Sequence, residues 1–212
     1  MMEKPLKYYS NERNEILDFI PKNSKKILEI GCAEGNFGLL LKKELGSEVW
    51  GIEPAEAPFK IAKEKIDKIF FGSVEDNLGN LPESYFDVIV FNDVLEHLYD
   101  PFFVLKEVKS KLSMAGCIVA SIPNVRFWVN LKEIINKKDW KYKDKGILDF
   151  THIRFFTKIS MIRMFEDTGY QINKIKGVNP TQSKNYKLIN FFLLGNISDA
   201  KYSQYVFNVI KK

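Results

Sequence analysis

From Lys25 onward the chain alternates short apolar runs with longer stretches whose apolar residues recur every three or four positions. That alternation is expected when parallel strands are joined by crossover helices. The runs at 26–30, 48–52, 68–71, 87–91 and 117–122 are rich in Ile, Val and Phe and read as five strands. Near-continuous apolarity in the fourth and fifth predicts burial on both faces. Two more strands are predicted at 170–178 and 205–210, joined through an apolar helix over 186–194. The pattern predicts an α/β protein: a doubly wound, mostly parallel sheet of seven strands, finished by an antiparallel edge strand.

Helix ends are marked by the expected residues. Ser10 can cap a helix that stops before Pro21, and Gly46 follows the lysines that close a helix over 35–45. Asp100-Pro101 opens a helix over 102–112, and Thr157 caps one that ends at Gly169. Over 125–136, Phe127, Trp128, Leu131 and Ile135 fall near one face, which predicts an amphipathic helix.

Composition narrows the class. With 212 residues, 45% hydrophobic and 28% charged, the chain can bury the core of a single domain spanning 1–212. No run approaches the ~20 apolar residues of a membrane span. The nearest, 188–194, contains Asn190 and stops at Gly195. Residues 1–10 carry Glu3, Lys4, Pro5 and Lys7 where a secretion signal needs its apolar stretch, so a cytoplasmic protein is expected. Cys32 and Cys117 lie far apart, and His97 and His152 share no ligand spacing with them, so neither a disulfide framework nor a zinc site is expected.

The net charge of +5 comes mainly from lysine, since Arg13, Arg126, Arg154 and Arg163 are the only arginines. Residues 132–145 interleave lysines with Trp140 and Tyr142, but Glu133, Asp139 and Asp144 dilute them, which favours a solvated surface over a nucleic-acid site. An oligomer formed through the edge strand or the C-terminal helix is left open.

The most informative segment is ILEIGCAEGNFG, residues 27–38: an apolar strand, a turn with Gly31 and Gly35, then a helix. Such a turn lets the backbone approach a ligand while the helix start presents unpaired N–H groups. The dinucleotide fingerprint G-x-G-x-x-G fails here, because Ala33 and Asn36 occupy its second and third glycine positions. Glu53 ends the second strand 22 residues after Gly31, where a carboxylate can accept hydrogen bonds from both hydroxyls of a ribose.

The spacing of Glu29, Gly31 and Gly35 resembles the E/D-x-G-x-x-x-G signature of class I S-adenosylmethionine-dependent methyltransferases. FDVIVFNDVLEHLYDP, residues 86–101, resembles the fourth strand and following loop of that family, and GSVED, residues 72–76, its adenine-binding loop. SIPN at 121–124 and THIRFFT at 151–157 resemble a bacterial subgroup acting on small-molecule or glycan-precursor acceptors. The resemblance covers roughly residues 8–178 and implies a Rossmann-like fold, with the site at the C-terminal ends of the strands. It implies S-adenosylmethionine as cofactor, with the methionine part on Gly31, Cys32, Ala33 and Gly35 and its amine near Glu29. Glu53 takes the ribose, Ile52 and Pro54 an adenine face, and Ser73, Val74 and Glu75 the adenine edge. Asn92 lies near the transferable methyl. An N-terminal helix and flap over 1–24 and a substrate-side insertion over 125–157 complete the expected organisation.

A sulfonium methyl is already activated, so the protein has to align an acceptor, exclude water and take a proton; no metal is required. His97 is the expected base, four residues after Asp93, with packing or capping of its loop as the structural alternative. His152 and Arg154 alternate, so an extended segment would present both to an anionic or hydroxyl-rich acceptor, unless they simply fix that loop. Tyr9, with Tyr8, is expected in the flap, and Asn124 on the acceptor side. Cys32 is read as a small turn residue, not a nucleophile. Transfer to an oxygen, with nitrogen second, is expected. An RNA methyltransferase and a non-catalytic cofactor-binding module are the alternatives.

Overall fold

The computed structural model describes residues 13–212. Its sheet contains β1 (Lys26–Ile30), β2 (Glu48–Glu53), β3 (Lys68–Phe71), β4 (Phe86–Asn92), β5 (Leu112–Pro123), β6 (Tyr170–Pro180) and β7 (Tyr202–Lys211), in the order β3-β2-β1-β4-β5-β7-β6. The first five strands pair in parallel. β7 is antiparallel to both neighbours, so β6 regains the direction of β5 and forms the outer strand. Antiparallel pairing thus sits at the expected margin, with the reversed strand one place in from the edge. The reason lies in the side chains: residues 205–209 of β7 are continuously buried, whereas β6 is largely half-exposed or exposed. The strand that can be covered on both faces takes the interior slot.

Among the described residues α1 (Asn14–Leu17) precedes the sheet, and α2 (Asn36–Leu45), α3 (Glu56–Ala62), α4 (Val74–Asn77), α5 (Pro101–Lys111), α6 (Trp128–Lys137), α7 (Lys158–Asp167) and α8 (Lys184–Phe192) connect its strands. Alternate strand residues feed two cores. Leu28, Ile89, Phe91 and Ile118 pack with α5 and α7, while Ile27, Val88, Val90 and Val119 pack with α1, α2 and α3. Each face removes apolar area from water at roughly 25 cal/mol per Å², which makes the doubly wound arrangement favourable.

The end signals operate as the sequence predicts. Asp100 accepts from the Phe103 N–H at 2.9 Å, Gly46 closes α2 in the left-handed region, and Thr157 and Ser160 form a reciprocal cap on α7. Boundaries shift where side chains compete with the helix. α6 starts three residues late because Asn124 takes the Arg126 N–H on its side chain and the Phe127 N–H on its carbonyl. α8 starts two residues early because Ser183 accepts from Tyr186 N–H. Ser10, Tyr8 and Tyr9 lie outside the described residues, so the cap and flap assigned to them have no structural counterpart to report.

Candidate active site

The C-terminal ends of β1, β2 and β4 open into one cavity of about 770 Å³. This is where open parallel sheets bind ligands, and the volume suits a small-molecule site. The turn after β1 forms its floor. Gly31 has φ +67°, and a Cβ there would come within 2.6 Å of a Val94 methyl. Gly35, at φ +72°, begins α2. Both positions require glycine, the first for conformation and for close approach. Ala33 (φ 49°) and Asp93 (φ 55°) also occupy the left-handed region and line the cavity, so part of the backbone strain sits at the site.

Glu53 is buried at the end of β2, and its two oxygens accept the Ala33 N–H at 2.8 Å and the Ala55 N–H at 2.9 Å. Burial pushes its carboxyl up, against the pull of those two bonds. Each oxygen keeps a lone pair for a further donor. Glu29 is buried beneath the turn, and burial pushes its carboxyl up to about 8. Its Oε2, and both polar atoms of the Asn92 side chain, are buried and have no hydrogen-bond partner among the described residues. Orphan polar atoms carry a desolvation cost that a ligand can relieve. A carboxylate and an amide of this kind suit an ammonium and carboxylate pair, as in an amino-acid moiety.

The cavity brings together nearly all the residues expected to hold cofactor: Glu29, Gly31, Cys32, Ala33, Ile52 and Glu53 from the first two strand ends, then Pro54, Ser73, Val74, Glu75 and Asn92. Gly35 stands just behind, shaping the turn. Ser73 accepts from the Asp76 N–H and donates to the Asp76 carboxylate, so its first task is to cap α4. The Cys32 thiol is buried and pushed up by that burial, in keeping with a small turn residue. A side chain at Gly51 would strike its Sγ at 2.6 Å, so the packing there is tight.

His97 also lines the cavity. Its Nδ1 lies 3.1 Å from the Thr151 carbonyl, so Nδ1 donates and Nε2 is left as the basic nitrogen. Burial, and next the neighbouring His152, hold its pKa below the ordinary 6.5.

Three residues expected on the acceptor side lie away from the cavity wall. His152 is buried, its Nδ1 on the Ile147 carbonyl, whereas Arg154 is exposed and donates to the Tyr99 carbonyl. They do not share a side, because the Asp149 carboxylate takes the Thr151 N–H and hydroxyl and turns the chain before His152. Neither lines the cavity. Asn124 is fully buried and spends its amide on the Asp199 and Tyr202 carbonyls and the Arg126 N–H, tying the insertion to β7.

Sequence reasoning missed Arg13, whose Nη2 lies 2.9 Å from Asp93 and 3.0 Å from Ser121 Oγ at the cavity wall. It also missed the convergence of Glu96, His97 and His152, whose ligand-capable atoms lie within 4.8 Å of one another. Only the adjacency of Glu96 and His97 was visible in sequence; His152 arrives from 55 residues away. Glu96 is buried with neither carboxyl oxygen hydrogen-bonded among the described residues, and burial pushes it well up, so it would have to give up a proton before ligating a cation.

A glycine turn after β1, an acid ending β2 and orphan polar groups at β1 and β4 fit the site expected of a class I S-adenosylmethionine-dependent methyltransferase. The profile of the family described as "Methyltransferase domain" matches residues 4–175, and the chain belongs to that family. It is an S-adenosylmethionine-dependent methyltransferase. The chain is 28% identical over 198 residues to the ubiquinone biosynthesis O-methyltransferase of Aeromonas salmonicida, covering 88% of this chain and 79% of that one. A protein of the same description from Vibrio atlanticus is 28% identical over 188 residues, covering 84% and 74%. The fold is similar to that of an S-adenosylmethionine-dependent methyltransferase from Archaeoglobus fulgidus, with TM-score 0.69, 21% identity and coverage of 98% and 95%. One from Mesorhizobium loti gives TM-score 0.66 at 14% identity, covering 97% and 99%.

Proposed function

We propose that this chain transfers the methyl group to an oxygen of a small-molecule acceptor, with His97 as the base. The observation that carries the proposal is the imidazole at the cavity wall, fixed through Nδ1 on the Thr151 carbonyl and held neutral near pH 7 by burial. The O-methyltransferases among the relatives support an oxygen acceptor. When bound, the cofactor supplies a methyl group activated by a sulfonium centre.

The chain's own residues supply position and proton balance. Glu29 and Asn92 hold the amino-acid end, Glu53 the ribose hydroxyls, and Ile52, Pro54 and Val74 the adenine faces, with Ser73 and Glu75 at its edge. Leu98, Tyr99 and Ile153 add apolar surface to the same cavity. With the cofactor bound, an acceptor hydroxyl would give its proton to His97 Nε2 as its oxygen bonds the methyl carbon and the methyl–sulfur bond breaks, leaving S-adenosylhomocysteine and an imidazolium beside His152. Positioning supplies much of the acceleration, and base catalysis about a further 100- to 10,000-fold. No metal enters this scheme.

An RNA acceptor is less well supported. In the lysine-rich stretch Glu133 pairs with Lys137 at 3.4 Å and Lys143 at 2.6 Å, which lowers the free positive charge. The test is a panel of phenolic, alcoholic, amine and RNA acceptors with radiolabelled methyl donor. Turnover of hydroxylated small molecules that His97→Gln abolishes supports the proposal. Turnover of RNA or amines alone contradicts it.

A further inference from the structure

A second pocket, of about 560 Å³, lies between α7, α8 and the last two strands, apart from the methyl-transfer site. Lys158, Lys187 and Lys201 converge on it from three elements, and none has an ion-pair partner among the described residues. The carboxylate on its rim, Asp199, is already held by Arg126 at 2.7 and 3.2 Å. Lys158 and Lys201 lie over the Tyr205 and Tyr202 rings at 5.5 and 5.2 Å, so the lysine charge meets aromatic faces and no carboxylate among the described residues. A half-open pocket with this charge and polar lining suits a phosphate-bearing group.

The outer face of the same helix is apolar and uncovered. Leu188 is 59% exposed, Phe191 76%, Phe192 72% and, just past the helix end, Leu194 93%. Single exposed hydrophobes are ordinary, but four on one helix and its exit are not. α8 is fixed to the body by the Trp128 Nε1–H to Ser183 Oγ bond at 3.1 Å and by the packing of Trp128 on Tyr186. The patch is thus held rigidly outward. No described helix is long and apolar enough to cross a bilayer.

We infer that α8 docks on the surface of a bilayer containing anionic phospholipid, the lysine pocket taking a headgroup phosphate while Leu188, Phe191, Phe192 and Leu194 enter the acyl boundary. Charge complementarity selects this occupant, because an apolar face bordered by unpaired lysines is the composition of an interfacial helix on an anionic membrane. β6 runs in the direction of β1 to β5, so the β6–β7 connection that carries α8 lies at the end of the sheet where the methyl-transfer cavity opens. Docking would bring that mouth close to the lipid surface.

The test is cosedimentation of the full chain with vesicles of phosphatidylcholine alone, or mixed with phosphatidylglycerol, at low and high salt. The inference predicts binding to the mixed vesicles that weakens with salt. Phe191→Ser with Phe192→Ser, and separately Lys187→Gln with Lys201→Gln, should each lower that binding about ten-fold or more while leaving S-adenosylhomocysteine affinity and melting temperature unchanged. Equal binding to both vesicle types, no binding, or variants that bind like the parent would overturn it. So would a dimer in sedimentation velocity that the phenylalanine variant abolishes without any vesicle binding, which assigns the face to a second copy. Binding of free glycerol phosphate without vesicle binding would likewise assign the pocket to a soluble anion.

Discussion

The ring of His97 meets the edge of the His152 ring with centroids 4.6 Å apart and planes at 81°, and His152 Nε2 lies 3.9 Å from a carboxyl oxygen of buried Glu96. Both imidazoles have Nδ1 on a main-chain carbonyl, so both are fixed in orientation and tautomer. A charge on His152 disfavours proton uptake by His97. Burial acts on His97 in the same direction, and the resulting neutral ring is what a base at neutral pH requires.

His97 should therefore govern the acid limb of the pH profile. Because its folded-state pKa is lowered, the basic form persists below 6.5, and kcat should fall only as pH drops through that lower value. His97→Gln should lose the limb and reduce kcat roughly 100-fold or more, with S-adenosylhomocysteine affinity within about two-fold of the parent. Stopped-time assays across pH 5–9 read both effects, and a variant with parental kcat would remove the base assignment.

Glu29 makes the cofactor-free protein pH-sensitive. Its folded-state value of about 8 stands above the ordinary 4.5, so the contribution of its neutral form is fully present below 4.5 and is lost as pH rises through about 8. Glu29→Gln should raise the melting temperature at pH 8.5 by roughly 5 °C, with little change at pH 4.5. The same variant should bind S-adenosylhomocysteine more weakly. Scanning calorimetry at the two pH values checks the sign; equal shifts at both would contradict the burial argument.

Asn124 is expected to act through structure. Removing three buried hydrogen bonds in Asn124→Ala should destabilise by about 2–4 kcal/mol, while acceptor KM well below the melting temperature stays near the parental value. An unchanged melting temperature with a raised KM would return this residue to the acceptor site.

The proposed reaction needs no metal, although Glu96, His97 and His152 are close enough to share one. Treatment with a chelator should leave turnover unchanged, and added zinc should inhibit by occupying the histidines. Loss of activity on chelation, restored by a divalent cation, would assign that cluster a cofactor role.

Local signals made most of the fold legible. The strands of the parallel portion are apolar in sequence because helices cover both faces, and Asp100, Thr157, Gly46 and Gly169 mark helix ends through their own backbone chemistry. The grouping of the candidate cofactor residues was legible for the same reason, since Glu29, Gly31 and Glu53 lie on strand ends and the turn whose order the topology fixes. The acceptor side was not. Alternation placed His152 and Arg154 together only if the segment was extended, and the Asp149 turn breaks that condition. The approach of His152 to His97, and of Arg13 to Asp93, joins elements far apart in the chain and has no periodic signature.

The central claim, that the cavity at the ends of β1, β2 and β4 is the cofactor site, is tested most directly by titrating S-adenosylhomocysteine calorimetrically into the parent and Glu53→Ala. Micromolar binding, about −8 kcal/mol, that weakens roughly 10- to 100-fold in a folded variant is the predicted result. Parental affinity in Glu53→Ala, or no binding by the folded parent, would contradict it.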